Sequence, residues 1–198
     1  MIGSAAIFVV VSLMELPADL PVPVDDGAAD HLAGLQLPPV QLPSTAGRVV
    51  DVSALGRGRT VLYCYPRTGR PDRPVPDGWD AIPGARGCTP ESCGFRDHAG
   101  ELTALGAAVF GISAQTTEEQ REAAERLRLP FELLSDSRLE LASALRLPTF
   151  QFESSTLIKR LTLVVRDGVI EHVFYPVFPP DRHAEEVVQW LSGGRMAD

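Results

Sequence analysis

Positive charge is scarce in this chain. Eighteen Lys and Arg residues face twenty-six Asp and Glu, the formal net charge is −8, and Lys159 is the only lysine. Nucleic acids and anionic membrane surfaces are bound through a basic footprint, so neither is an expected partner. Cysteine is scarce as well. Cys64, Cys88 and Cys93 are the full set, too few and odd in number for the disulfide framework of a small secreted protein. Redox-active thiols in a reducing cytoplasm suit that usage better. The apolar opening, Met1 to Leu13, is too short to span a bilayer. It also lacks the basic n-region of a signal peptide, and an upstream start with Met14 as the usual first residue is the plainer reading.

What remains is ordinary for a globular protein. Hydrophobic residues make up 44% and charged residues 22% of 198 positions, enough for one domain with a substantial core. The dominance of Arg over Lys, with abundant Ala, suggests a GC-rich bacterial genome.

Periodicity and turn signals outline the order of elements. Residues 1–35 read as an N-terminal extension, proline-bearing and extended or mobile. Gly47 to Val52 and Thr60 to Tyr65 are β-branched and apolar, the second a buried central strand. Residues 67–86 form a Pro- and Gly-rich insert with turn signals at Asp77-Gly78 and Pro83-Gly84. A helix is expected from Pro90 to about Leu105, then a strand from Ala107 to Ser113. Thr117 and Gln120 read as a capping box opening a helix to about Leu127. A short strand follows from Phe131 to Leu134 and a helix from Arg138 to Ala144. Leu161 to Val165 and Val169 to Phe174 flank Asp167-Gly168, a strong hairpin signal. Asp181 is expected to cap a last helix whose apolar stripe is Ala184, Val187, Val188 and Leu191. Alternating strands and helices with a late hairpin imply an α/β protein, a central mixed β-sheet flanked by helices.

The most informative segment is Gly87-Cys88-Thr89-Pro90-Glu91-Ser92-Cys93-Gly94-Phe95-Arg96-Asp97. Thr89 reads as a helix N-cap and Pro90 as the first helical residue, where a missing N–H costs nothing. Cys88 then sits at the positive end of the helix dipole, which favours an anion and suggests a nucleophilic thiol of low pKa. Full ionisation of a thiol with pKa near 8.5 gains at most about 30-fold at pH 7, roughly 2 kcal/mol, so a dedicated catalyst needs further stabilisation of the departing group.

Gly87-Cys88-Thr89, Cys93 and Phe95-Arg96-Asp97 resemble the GCT…C.FRD signature of peroxiredoxins, in particular the bacterioferritin-comigratory-protein or PrxQ group. Phe131 to Asp136 resembles that family's F.LLSD segment, and Lys159 to Gly168 its arginine-led strand ending in a DG turn. The resemblance covers residues 36 to 192, within a domain expected to run from 36 to 198. It implies a thioredoxin-like fold and a thiol peroxidase acting on hydrogen peroxide and organic hydroperoxides. By the same resemblance Cys88 is peroxidatic and Cys93 resolving, with an intramolecular Cys88–Cys93 disulfide recycled by a thioredoxin-type dithiol. Arg160 stabilises thiolate and peroxide, while Gly87, Pro66 and Thr68 contribute to substrate binding. No cofactor is implied, and the protein is a monomer or homodimer.

One departure matters. The family's PxxxTxxC pattern places Thr three residues and Pro seven residues before the peroxidatic Cys, where this chain has Ala85 and Ala81. Tyr65-Pro66-Arg67-Thr68 looks like the start of that motif, displaced by the insert. Either Thr68 folds back into the pocket or its hydroxyl is missing from it.

Other readings compete with these. Cys88, Cys93 and His98 fall at five-residue steps, which turn by about 140° on a helix and cannot converge on a metal. Cys64 lies in an apolar run and reads as core. His31, His172 and His183 fall in no motif and read as solvated. Two alternative functions are a thiol–disulfide oxidoreductase, disfavoured because C-x-x-C is absent, and a non-enzymatic redox sensor.

Overall fold

The structure, a computed structural model, describes residues 13–55 and 58–193. The apolar opening therefore lies outside the described residues except for Leu13. The first strands, β1 (Gln41–Pro43) and β2 (Val49–Asp51), pair as a short antiparallel ribbon. The central sheet contains β3 (Arg59–Cys64), β4 (Ala107–Ser113), β5 (Glu132–Ser135), β8 (Leu161–Arg166) and β9 (Val169–Phe174), in the order β5-β4-β3-β8-β9. β3, β4 and β5 run parallel, whereas β8 and β9 are antiparallel to their neighbours. Helices α1 (Cys88–Asp97), α2 (Ala99–Ala104), α3 (Thr117–Leu127), α4 (Glu140–Leu145) and α5 (His183–Leu191) connect and cover it. This is the thioredoxin-like arrangement expected from the order of elements.

Side chains alternate across a strand, and β3 uses both faces. Leu62 and Cys64 point into a core with Ile112, Leu134 and Leu163, closed by Leu141 and Leu145 of α4 and by Ala29 and Leu32 of the N-terminal segment. Val61, Tyr63 and Tyr65 point the other way, against Phe95 of α1, Leu102 of α2 and Val187 of α5. Phe95 stacks on Tyr63 with ring centroids 4.5 Å apart, and Tyr63 Oη donates to Ser92 Oγ at 3.2 Å. Burying Phe95 alone contributes about 2–3 kcal/mol, and these contacts fix α1 over the C-terminal end of β3.

The 67–86 insert is not a free loop. Trp79, at the start of a 3₁₀ turn, packs edge-on against Phe152 in a small core completed by Ala85 and Leu157. Phe152 and Leu157 belong to a hairpin, β6 (Thr149–Phe152) and β7 (Ser155–Ile158), for which the sequence carries no turn signature. The Arg67 guanidinium lies 4.6 Å over Trp79. Elsewhere, Asp26 clasps the strand end before β8: it accepts from Lys159 Nζ at 2.7 Å and from Tyr175 Oη at 2.7 Å.

Several boundaries differ from expectation. The helix expected to reach Leu105 breaks at His98 into α1 and α2. The capping box is one residue earlier, Thr116 with Glu119. The helix expected from Arg138 to Ala144 runs from Glu140 to Leu145, and Asp136 accepts from Leu141 and Ala142 N–H in its first turn. Arg182 occupies the N-cap of α5 in place of Asp181.

Candidate active site

The loop leading out of the insert turns into α1 at Gly87, whose φ of 102° lies in the left-handed region open to glycine. A side chain there would also run into Pro180 and Leu16. Gly87, not Thr89, is the N-cap. Cys88 is the first helical residue, Thr89 the second and Pro90 the third, still within the turn whose N–H groups lack intrahelical partners. The first turn closes through Glu91 N–H to Gly87 O at 3.0 Å.

Arg160, directly before β8, reaches across to this turn. Its Nη2 donates to Cys88 Sγ at 3.2 Å, to Arg86 O at 3.1 Å and to Ala85 O at 3.4 Å. Its Nη1 forms an ion pair with Glu91, one helical turn after Cys88. Both partners are almost wholly buried, with side-chain exposures of 1% and 0%. Among the described residues, Arg160 Nε and Glu91 Oε1 find no hydrogen-bond partner.

The electrostatics differ from the low-pKa thiol expected from the helix dipole. Burial pushes the Cys88 thiol up, Arg160 pulls it down, and Glu91 adds to the upward push. The net direction is upward because burial of the sulfur, with Glu91 beside it, outweighs the pull of Arg160. Burial likewise pushes Glu91 up against the pull of Arg160. The Cys88 thiol has a carbonyl to donate to, Ala85 O at 3.6 Å.

A cavity of about 260 Å³ opens on Cys88 and is lined by Gly87, Thr89, Thr68 and Gln115 among others. Thr68 therefore folds back to the pocket across the insert. Pro66 lies behind it, its carbonyl accepting from Ser113 Oγ at 3.0 Å. Ala85, at the position of the family threonine, contributes its carbonyl. Cys93 lies on the same helix as Cys88, 4% exposed, with Met14 Sδ 3.9 Å from its Sγ. All three cysteines are free thiols. Cys64 is core, and burial raises its thiol well above the usual range.

His183 corrects the expectation of a solvated histidine: it is wholly buried, and its Nε2 lies 2.8 Å from Thr162 Oγ1. His31 and His172 are half-buried, the first with Nε2 2.9 Å from Leu145 O and the second stacked on Trp190. Sequence reasoning also passed over Glu91 and Gln115. Glu91 carried a signal, because three residues after Cys88 is the same helical face. Gln115 carried none.

Among the described residues no helix is long and apolar enough to cross a membrane. Comparison with known proteins matches residues 32–189 to the Redoxin family. Chloroplastic peroxiredoxin Q of Sedum lineare is 32% identical over 78% of this chain and 75% of its own. Peroxiredoxin Bcp of Escherichia coli is 31% identical over 81% of this chain and 95% of its own. Among solved structures, peroxidoxin BcpB from Mycobacterium tuberculosis has a TM-score of 0.64 and 27% identity, covering 83% of this chain and 98% of its own. The matched span, its motifs and the cysteine-bearing helix all agree: this chain belongs to the redoxin family, as a thiol peroxidase of the peroxiredoxin Q/Bcp group.

Proposed function

We propose that Cys88 attacks the peroxide and Cys93 resolves the product. The observation that carries this is the Arg160 guanidinium, 3.2 Å from the sulfur of a cysteine that faces a cavity. Cys88 thiolate attacks the terminal O–H oxygen of ROOH: the S–O bond forms, the O–O bond breaks, and the other oxygen leaves as alkoxide or hydroxide, which takes a proton to become ROH or water. Cys88 becomes a sulfenic acid. Arg160 Nη2 supplies donors and charge where the anion develops, the largest kind of contribution available to such a site. Cys93 thiol then condenses with the sulfenic acid, releasing water and forming the disulfide. A thioredoxin-type dithiol reduces it and becomes oxidised in turn. Hydrogen peroxide and organic hydroperoxides are the substrates, Thr68 and Gly87 shape their site, and the compartment is the cytoplasm.

Two variants test the assignment in a peroxide-consumption assay with thioredoxin recycling. Cys88→Ser should abolish turnover, and retained activity would sink the proposal. Cys93→Ala should consume one equivalent and stall at the sulfenic acid. Normal recycling of Cys93→Ala would move the resolving role elsewhere.

A further inference from the structure

The insert creates a problem that this chain has to solve. Thr68 stands twenty residues before Cys88, so helix continuity cannot set its position as it would three residues away. We infer that Gln115 is the positioning residue that holds the Thr68 hydroxyl in the peroxide pocket and fixes it as a hydrogen-bond acceptor toward substrate. The inference deepens the proposed function and rests on Cys88 as the attacking sulfur.

The geometry is a clamp. Thr68 N–H donates to Gln115 Oε1 at 2.8 Å, Thr68 Oγ1 lies 3.1 Å from the same oxygen, and Gln115 Nε2 faces Thr68 O at 3.5 Å. The backbone N–H can only donate, so the atom it meets must be the amide oxygen. An amide oxygen can only accept, so the Thr68 hydroxyl must give it its proton. What Thr68 offers elsewhere is lone pairs. A hydroperoxide has one O–H to donate, on the oxygen that Cys88 attacks. A hydroxyl locked as acceptor therefore matches the attacked end of the substrate and leaves the departing oxygen for Arg160.

The clamp is itself anchored at the end of β4. Gln115 N–H donates to Ser113 Oγ at 3.1 Å, and Ser113 Oγ donates to Pro66 O. Ser135 Oγ donates to Gln115 O at 2.6 Å, and Arg126 Nη2 holds Gly69 O at 2.9 Å. Thr68 is 5% exposed, and both it and Gln115 line the cavity that opens on Cys88.

The test measures two rates in each full-length variant: the second-order reaction with hydrogen peroxide or cumene hydroperoxide, and alkylation of Cys88 by iodoacetamide. Thr68→Val should slow the peroxide reaction about 10-fold or more, the loss typical of one positioned hydrogen bond, and leave alkylation within about twofold. Thr68→Ser should keep the peroxide rate. Gln115→Met should match Thr68→Val, and the double variant should be no slower than either, because Gln115 acts through Thr68. Gln115→Ala, which removes the amide without adding bulk or charge, should also match Thr68→Val and decides the matter if Gln115→Met does not fold. A folded Thr68→Val at wild-type rate overturns the inference. So do a double variant slowed by the product of the single effects and a folded Gln115→Ala at the wild-type rate. An active Cys88→Ser would instead remove the reading beneath it, so the two failures are distinguishable.

Discussion

Glu91→Gln is the most revealing change in the pocket. Glu91 and Cys88 share one guanidinium, on its Nη1 and Nη2 arms, and an ionised Glu91 discourages a second anion on the sulfur. Anions on the two arms of a guanidinium lie on the order of 6 Å apart, where an effective dielectric of about 20 gives a repulsion of roughly 3 kcal/mol. Glutamine keeps the shape and can accept from Arg160 Nη1, while the charge is gone and Arg160 turns wholly to the sulfur. The Cys88 pKa should therefore fall. The sign follows directly: burial and Glu91 raise the thiol, and removing one of these two causes lowers it. The assay is the peroxide rate against pH, supported by the ultraviolet absorbance of the thiolate on a Cys93→Ser background. The midpoint should move toward acid, so the variant outpaces wild type most at low pH and converges with it once both are ionised. A folded variant with an unmoved midpoint would mean Glu91 is already protonated beside Arg160, and the shared-cation reasoning would fail.

Two further outcomes follow. Arg160→Met should raise the Cys88 pKa, cut the peroxide rate by more than the lost thiolate explains, and destabilise the fold by roughly 3–5 kcal/mol because Glu91 is left buried without a partner; stopped-flow and thermal unfolding together check it, and an unchanged rate would leave Arg160 structural. Cys88 and Cys93 lie five residues apart in one helix, which places their Cα atoms about 8.7 Å apart, beyond the roughly 7 Å a disulfide can bridge without backbone movement. Hydrogen exchange across residues 86–97 should therefore lose protection on oxidation, and equal protection in a mass-confirmed disulfide form would refute this.

The strands that carry the core were the most legible part of the chain. Ala107–Ser113 and Val169–Phe174 match their expected bounds, because a buried β-branched run and an Asp-Gly hairpin are decided locally. The start of α1 departs from expectation for a physical reason. Thr89-Pro90 is a good cap by propensity, but Gly87 can adopt a positive φ and lets the helix begin earlier, with Cys88 inside it. Thr116 and Thr117 each head a plausible capping box, and the register is settled by Glu119, whose carboxylate reaches back to Thr116 N–H at 2.9 Å. The β6–β7 hairpin was invisible because Glu153, not glycine or asparagine, takes the positive φ at its turn. At the site, the cysteines and Arg160 could be placed by motif. Glu91 could have been placed by its helical spacing from Cys88, whereas Gln115 and His183 could not, since their roles arise only when the end of β4 and α5 meet the cysteine helix.

The Asp26–Lys159–Tyr175 clasp makes this protein its own conformational reporter. Since the sequence holds a single lysine, an endoprotease that cuts only after lysine has one bond to cleave, and that bond leads directly into Arg160. Cleavage there requires the clasp to release and the strand end to draw back from Cys88. The rate at which intact chain gives way to fragments 1–159 and 160–198 on a gel thus counts how often the arginine side of the active site opens. Neither a dye nor an engineered residue is needed, and reduced, oxidised and variant proteins can be read on the same scale.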